Sequence, residues 1–223
     1  MLSFSFFLYL CIVFCMIMHN LKAETTYRQS LRERILDVAF TKFIHLGIRA
    51  VKMDDIAREL TISKRTLYEI YENKAILLFE GVKRYKKLRD EELNKRARES
   101  DSVIAFILDL YRRETEIFHI VNPMFYSDLE KYPQVMKFLE TNRKEHRLLF
   151  LEIMNRGVEE GYFRSDVNYE LVVKLFDSIS KYMSGTELYQ YYSFEELFCN
   201  MVFVTIRGFC TIKGIEELDK NLH

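Results

Sequence analysis

The sequence predicts an all-α chain, and three observations carry that prediction. Only two prolines and seven glycines punctuate 223 residues, so long helices meet few breakers. Apolar residues recur at three- and four-residue spacing along most of the chain, the period of a helix with one buried face. No stretch gives a convincing strand. With 49% hydrophobic and 30% charged residues, the chain can fill a core and keep a solvated surface.

The first segment, residues 1–23, stands apart. Residues 1–18 are almost wholly apolar. No Lys or Arg precedes Lys22, and a cleavage after Leu21-Lys22-Ala23 would put Leu where a small residue is preferred. The expectation is a start called too early, with Met16 or Met18 the true one. A membrane anchor and a signal peptide are the alternatives.

Residues 24–29 read as a polar arm. A helix is expected over 30–46, capped by Ser30 with Glu33 three residues on. Leu31, Ile35, Val38, Ala39, Phe43 and Leu46 form its apolar face, and Gly47 ends it in a left-handed turn. After a connection over 48–53, the pair Asp54-Asp55 opens a short helix over 54–60, where carboxylates suit the positive end of the helix dipole. Ser63 caps a second short helix over 64–70, and Asn73 caps a long one over 74–99. Helices follow over 101–120, 123–131, 133–160, 168–184 and 194–212. Pro123 and Pro133 sit at first-turn positions. Gly157, Gly161 and Gly185 lie near helix ends.

Net charge is zero, but the average conceals a division. Residues 22–100 hold 19 basic and 13 acidic side chains, while residues 101–223 hold 14 and 20. A net of +6 followed by −6 suits a polyanionic partner for the first half alone. Cys11, Cys15, Cys199 and Cys210 form no CxxC pair and have no histidine at ligand spacing. Reduced, buried thiols in the cytoplasm are expected, with no metal and no cofactor. No phosphate loop, GxSxG elbow, HExxH or Cys/His dyad occurs, which argues against an enzyme.

Residues 53–72 concentrate the function. Ile56, Leu60, Ile62, Leu67 and Ile70 are spaced to pack two short helices together, and Ala57 permits close approach. That is the pattern of a helix-turn-helix, whose second helix enters the major groove. An amphipathic hairpin without a ligand fits the spacing equally well. The exposed side chains of the second helix are Lys64, Arg65, Thr66, Tyr68 and Glu69, rich in donors for phosphates and base edges.

The residues themselves, beyond their spacing, resemble the TetR family of transcription regulators. Its hallmark run reads here as Asp55-Ile56-Ala57, then Ile62-Ser63-Lys64-Arg65-Thr66-Leu67-Tyr68, then Tyr71-Glu72-Asn73-Lys74 and Leu77. Phe43, Gly47 and Met53 match ahead of it, so the close likeness covers about 30–80. The run Glu160 to Val167 resembles a loop common before the family's penultimate helix. Thr61 departs from the pattern, standing where glycine is usual. A β-branched residue in a left-handed turn costs on the order of 1 kcal/mol.

The resemblance implies a three-helix DNA-binding domain over 24–76 and a helical effector-binding and dimerisation domain over 77–223. Ser63 would cap the recognition helix and count among the DNA-binding residues. Lys64, Arg65 and Thr66 would face base edges. Tyr68 would reach a phosphate or thymine methyl, and Lys52, Tyr71 and Lys74 would grip phosphates. Leu171, Leu175, Ile179, Leu197, Met201, Thr205 and Gly208 would meet their copies in a homodimer. Phe106, Phe118, Phe125, Phe138, Phe150 and Phe176 would line a pocket for an apolar or amphipathic effector. The expected function is a cytoplasmic, ligand-responsive regulator, more commonly a repressor than an activator, gripping palindromic operator DNA. A helical interaction or scaffold protein without DNA is the alternative. A membrane partner enters only if residues 1–18 are genuine.

Overall fold

A computed structural model of the chain describes residues 27–186, 188 and 191–222. The expectations for residues 1–26 lie outside that range. Among the described residues twelve α-helices are ordered α1 Tyr27–Leu46, α2 Met53–Glu59, α3 Lys64–Ile70, α4 Lys74–Glu99, α5 Val103–Ile120, α6 Met124–Leu129, α7 Pro133–Thr141, α8 Arg143–Glu159, α9 Tyr169–Gly185, α10 Phe194–Leu197, α11 Val204–Phe209 and α12 Ile212–Leu222. A π-helical segment, Phe198–Phe203, joins α10 to α11. Among the described residues no strand forms; Phe163 and Cys210 make one isolated antiparallel bridge. No described helix is long and apolar enough to cross a membrane.

The sequence signals hold at most helix ends. Gly47 is left-handed, with φ +84°, and its N–H donates to Phe43 O at 2.9 Å. The side chains of Ser63, Asn73, Ser102 and Ser193 each accept a backbone N–H of the first turn.

Three boundaries and one element differ from expectation. Helix α1 starts at Tyr27, so residues 27–29 are helical and Ser30 lies inside the first turn rather than capping it. The single helix expected over 133–160 is interrupted at Asn142, whose side-chain amide donates to Phe138 O at 2.6 Å. A short polar side chain bonded to the turn behind it competes with the helical ladder. The helix expected to run to 212 ends at Phe209, and α12 follows, an element the sequence reading missed. Its signal was present in Ile215, Leu218 and Leu222 at helical spacing. Thr211 starts it by accepting the Gly214 N–H on its hydroxyl at 3.1 Å.

Two apolar clusters organise the fold. The first gathers α1–α3, the first half of α4, and Ile117, Val121, Phe125, Leu129, Val135, Met136 and Leu139 from the end of α5, α6 and α7. The second gathers the start of α5, α8, α9 and the helices from α10 to α12, with Phe163 and Phe203 fully inside. Apolar packing therefore does not divide at residue 76: the first half of α4, with α6 and α7, packs on the first cluster. Phe40 fixes α1 to α4 by lying against Gly81, where a Cβ would occupy the space of its ring. Tyr85 packs on the same ring, centroid to centroid 4.8 Å.

Candidate nucleic-acid interface

The site is built from α2, a four-residue turn and α3. Asp55 accepts the Lys52 backbone N–H on its carboxylate at 3.1 Å and so starts α2. Ile56 and Ala57 are buried against the first cluster, and Ala57 O accepts the Ile62 N–H at 3.0 Å across the turn. The turn requires a left-handed residue at 61, and Thr61 adopts φ +56°, the one such non-glycine residue among those described. The strain expected from the sequence is therefore present. Ser63 then accepts the Thr66 N–H at 3.0 Å and shares a 2.8 Å hydrogen bond with the Thr66 hydroxyl. Leu67, fully buried, anchors α3 to the core.

With Leu67 turned inward, α3 presents Lys64, Arg65, Tyr68 and Glu69 to solvent, with Thr66 half-buried. Tyr68 is 46% exposed, a large aromatic left in water. Both cations are balanced locally. Lys64 Nζ lies 2.5 Å from Asp54 on α2, and Arg65 donates to Glu69 at 2.9 Å one turn on. Such exposed pairs are worth about 0–1 kcal/mol, so an incoming phosphate can replace either carboxylate at little cost. Lys52 is also exposed.

Two predicted phosphate ligands are corrected. Tyr71 is completely buried; its hydroxyl donates to Arg32 O at 3.4 Å and the Arg32 guanidinium stands 4.7 Å over its ring. Burial pushes its phenol up to about 12. It fixes the end of α3 against α1. Lys74 is half-buried, and its ammonium donates to Ile48 O at 2.9 Å and Val51 O at 3.0 Å. Burial lowers its pKa, against an upward pull from Asp128. It ties the start of α4 to the connection that precedes the helix-turn-helix.

The sequence reading missed the other anchor of that connection. Asp128 on α6, 1% exposed, accepts the Arg49 N–H at 2.8 Å and the Lys131 ammonium at 3.1 Å. Asn122 adds its own N–H to Ile44 O at 2.8 Å and its side-chain amide to His45 O at 3.3 Å. Partners 79 residues apart leave no local signal.

The six phenylalanines expected around one pocket are also corrected, because they divide between the clusters. Phe125 lies within the first and Phe138 packs on it; Phe118, Phe150 and Phe176 pack on the second; Phe106 is buried. A crevice of about 280 Å³ beside α4 is lined mainly by charged side chains, Lys83, Lys86, Lys87 and Asp90 among them, with Phe138 its one aromatic residue. Of the expected dimer contacts, Leu171, Leu175 and Gly208 are exposed, Ile179, Met201 and Thr205 half-buried, and Leu197 is core at 4%. Leu197 is turned inward because the capped start of α10 packs into the second cluster.

Two short helices joined by a four-residue turn, with Ala57 and Leu67 buried in one cluster and the outer face of the second helix exposed, form a helix-turn-helix, the element with which a class of transcription regulators reads DNA. Residues 35–80 match the family model described as bacterial regulatory proteins, tetR family. The chain is 27% identical over 157 residues to the HTH-type transcriptional repressor KstR2 of Mycobacterium tuberculosis, covering 65% of this chain and 75% of that protein. Among solved structures it is similar to the ketosteroid transcriptional regulator KstR2 of the same organism, with a TM-score of 0.54, 20% identity, and 85% and 98% of the two chains covered. A TetR-family regulator from Agrobacterium tumefaciens aligns with a TM-score of 0.65, 12% identity, and 82% and 100% coverage. The chain carries the DNA-binding domain of the TetR family over residues 35–80 and is similar to regulators of that family along most of its length. It is a DNA-binding regulator and not an enzyme.

Proposed function

We propose that this protein is a ligand-responsive, dimeric repressor that grips a palindromic operator. Residues 24–76 serve as its reading head and residues 77–223 as its effector and dimer half. The observation that carries the reading is the outer face of α3: Lys64, Arg65 and Tyr68 stand in solvent on a helix whose other face is locked by Leu67. Lys64, Arg65 and Thr66 address base edges, Tyr68 a phosphate or thymine methyl, and Lys52 a phosphate. Tyr71 and Lys74 hold this surface in place from behind.

The dimer follows from an apolar stripe. Leu171, Leu175 and Tyr182 on α9 and Val204 on α11 are 58%, 47%, 57% and 57% exposed. At Gly208 a Cβ would meet nothing within 4 Å. Four large apolar side chains left in water on two adjacent helices suit a self-complementary interface. Val204 and Tyr182 join the expected contacts, and Leu197 leaves them. A dimer so formed spaces two reading heads about one DNA turn, roughly 34–36 Å. The repressor relatives support repression as the outcome, and the likeness to a ketosteroid transcriptional regulator supports an apolar or amphipathic effector.

Selection of bound fragments from genomic DNA by the purified protein tests the reading. A recurrent palindrome is expected, and a pool without one would refute it. Lys64→Ala should weaken operator binding and lower the salt dependence by about one counterion; an unchanged slope would remove Lys64 from the interface.

A further inference from the structure

One group of charges lies where apolar packing gives it no evident reason to be. Arg89 on α4 and Glu114 on α5 are 5% and 4% exposed. They face each other with 3.7 Å between Nη2 and Oε1, longer than a hydrogen bond, and Arg89 Nε has no acceptor. Tyr126 on α6 lies half-buried beside Glu114, packed against both apolar clusters. Asp90 on α4 is the other charge facing Arg89, and it is already paired with Lys86. Removing two charges from water costs several kcal/mol per ion unless good geometry returns it, and this geometry is poor.

A buried guanidinium with an unused donor is a fork without its carboxylate. We propose that Arg89, Glu114 and Tyr126 form the polar end of the effector site, and that the effector is an amphipathic acid whose carboxylate takes Arg89. This rests on the reading that the second half binds an effector. An acid reaching a side chain so deeply buried must bring an apolar body, because it leaves water to arrive there. Burial holds the Glu114 carboxyl up at about 7, against the pull of Arg89. Glu114 therefore takes up a proton as the ligand's carboxylate arrives, and the fork exchanges one anion for another. Tyr126 and Asp128 share the six-residue α6, so occupancy at one reaches the Arg49 N–H held by the other.

Calorimetric titration of the full chain with decanoate and cholate, each beside its neutral methyl ester, tests the proposal. The acids should bind at least tenfold more tightly than the esters, with proton uptake, and should weaken about fivefold between pH 7 and pH 8 as Glu114 ionises. Glu114→Gln should abolish that pH dependence and tighten binding about tenfold at pH 8. Arg89→Met/Glu114→Gln should bind acid and ester alike. Esters that bind as tightly as the acids and release DNA would overturn the acid while leaving the effector reading intact. Acids that fail to bind a protein competent for DNA, or a Glu114→Gln protein with unchanged affinity, would overturn the proposal.

Discussion

Arg65 and Arg89 belong to neighbouring helices of one chain and live in different solvents. Arg65 is exposed and satisfied by Glu69, with water at hand if that contact opens. Arg89 is enclosed, faces Glu114 at 3.7 Å and an Asp90 already paired with Lys86, and keeps a donor unused; burial lowers it to about 10. The reading head thus holds its charges where exchange of partners is cheap, and its stability comes from hydrocarbon. The other half holds charge where every exchange is expensive. A charge meant for a polyanion can stand in water, because the phosphates come to it; one meant for a small ligand has to be kept dry.

The comparison breaks most readily at Arg89. Arg89→Ala should cost about 3–5 kcal/mol in denaturant unfolding, as expected when one partner of a buried pair is removed, whereas Arg65→Ala should stay within about 0.5 kcal/mol. Equal effects would erase the distinction. Asp128→Ala should cost about 1–3 kcal/mol, because a buried carboxylate that holds both the Arg49 N–H and the Lys131 ammonium is lost, and operator affinity should fall although the residue lies on α6. Thr61→Gly should stabilise by about 1 kcal/mol through relief of the left-handed backbone; a destabilised variant would show that its methyl packing outweighs the strain.

Glu114 sharpens the same contrast through pH. Its carboxyl titrates near 7 in the folded chain rather than at 4.5, so the folded state binds that proton more tightly than the unfolded one. The resulting stability is complete below about pH 4.5 and is lost as pH rises through about 7. Thermal unfolding should show this decline between pH 5 and pH 8 in the natural protein and not in Glu114→Gln.

The reading head was legible because its determinants are local. Ser63, Asn73 and Gly47 act within four residues of themselves, and Leu67 and Ala57 follow helical spacing. Thr61 announced its strain for the same reason. Lys74 and Tyr71 were misplaced because a donor-bearing side chain at the right spacing does not say whether it faces a phosphate or a carbonyl. That depends on how α1 returns past α4, which no window contains. Leu197 and the six phenylalanines failed likewise: periodicity finds an apolar face but not what covers it. Arg89 and Glu114 are 25 positions apart and look like ordinary surface charges in the sequence; only the packing of α4, α5 and α6 encloses them.

The ring of Phe40 resting where residue 81 would carry a side chain also limits the histories open to this protein. While Phe40 stands, a mutation that gives position 81 even a methyl group must displace the ring or the helix. While Gly81 stands, trimming Phe40 leaves a void. Each residue blocks change in the other, so descendants that differ here must have changed both within a short interval, and position 81 should tolerate alanine or serine only in lineages where position 40 has already become smaller.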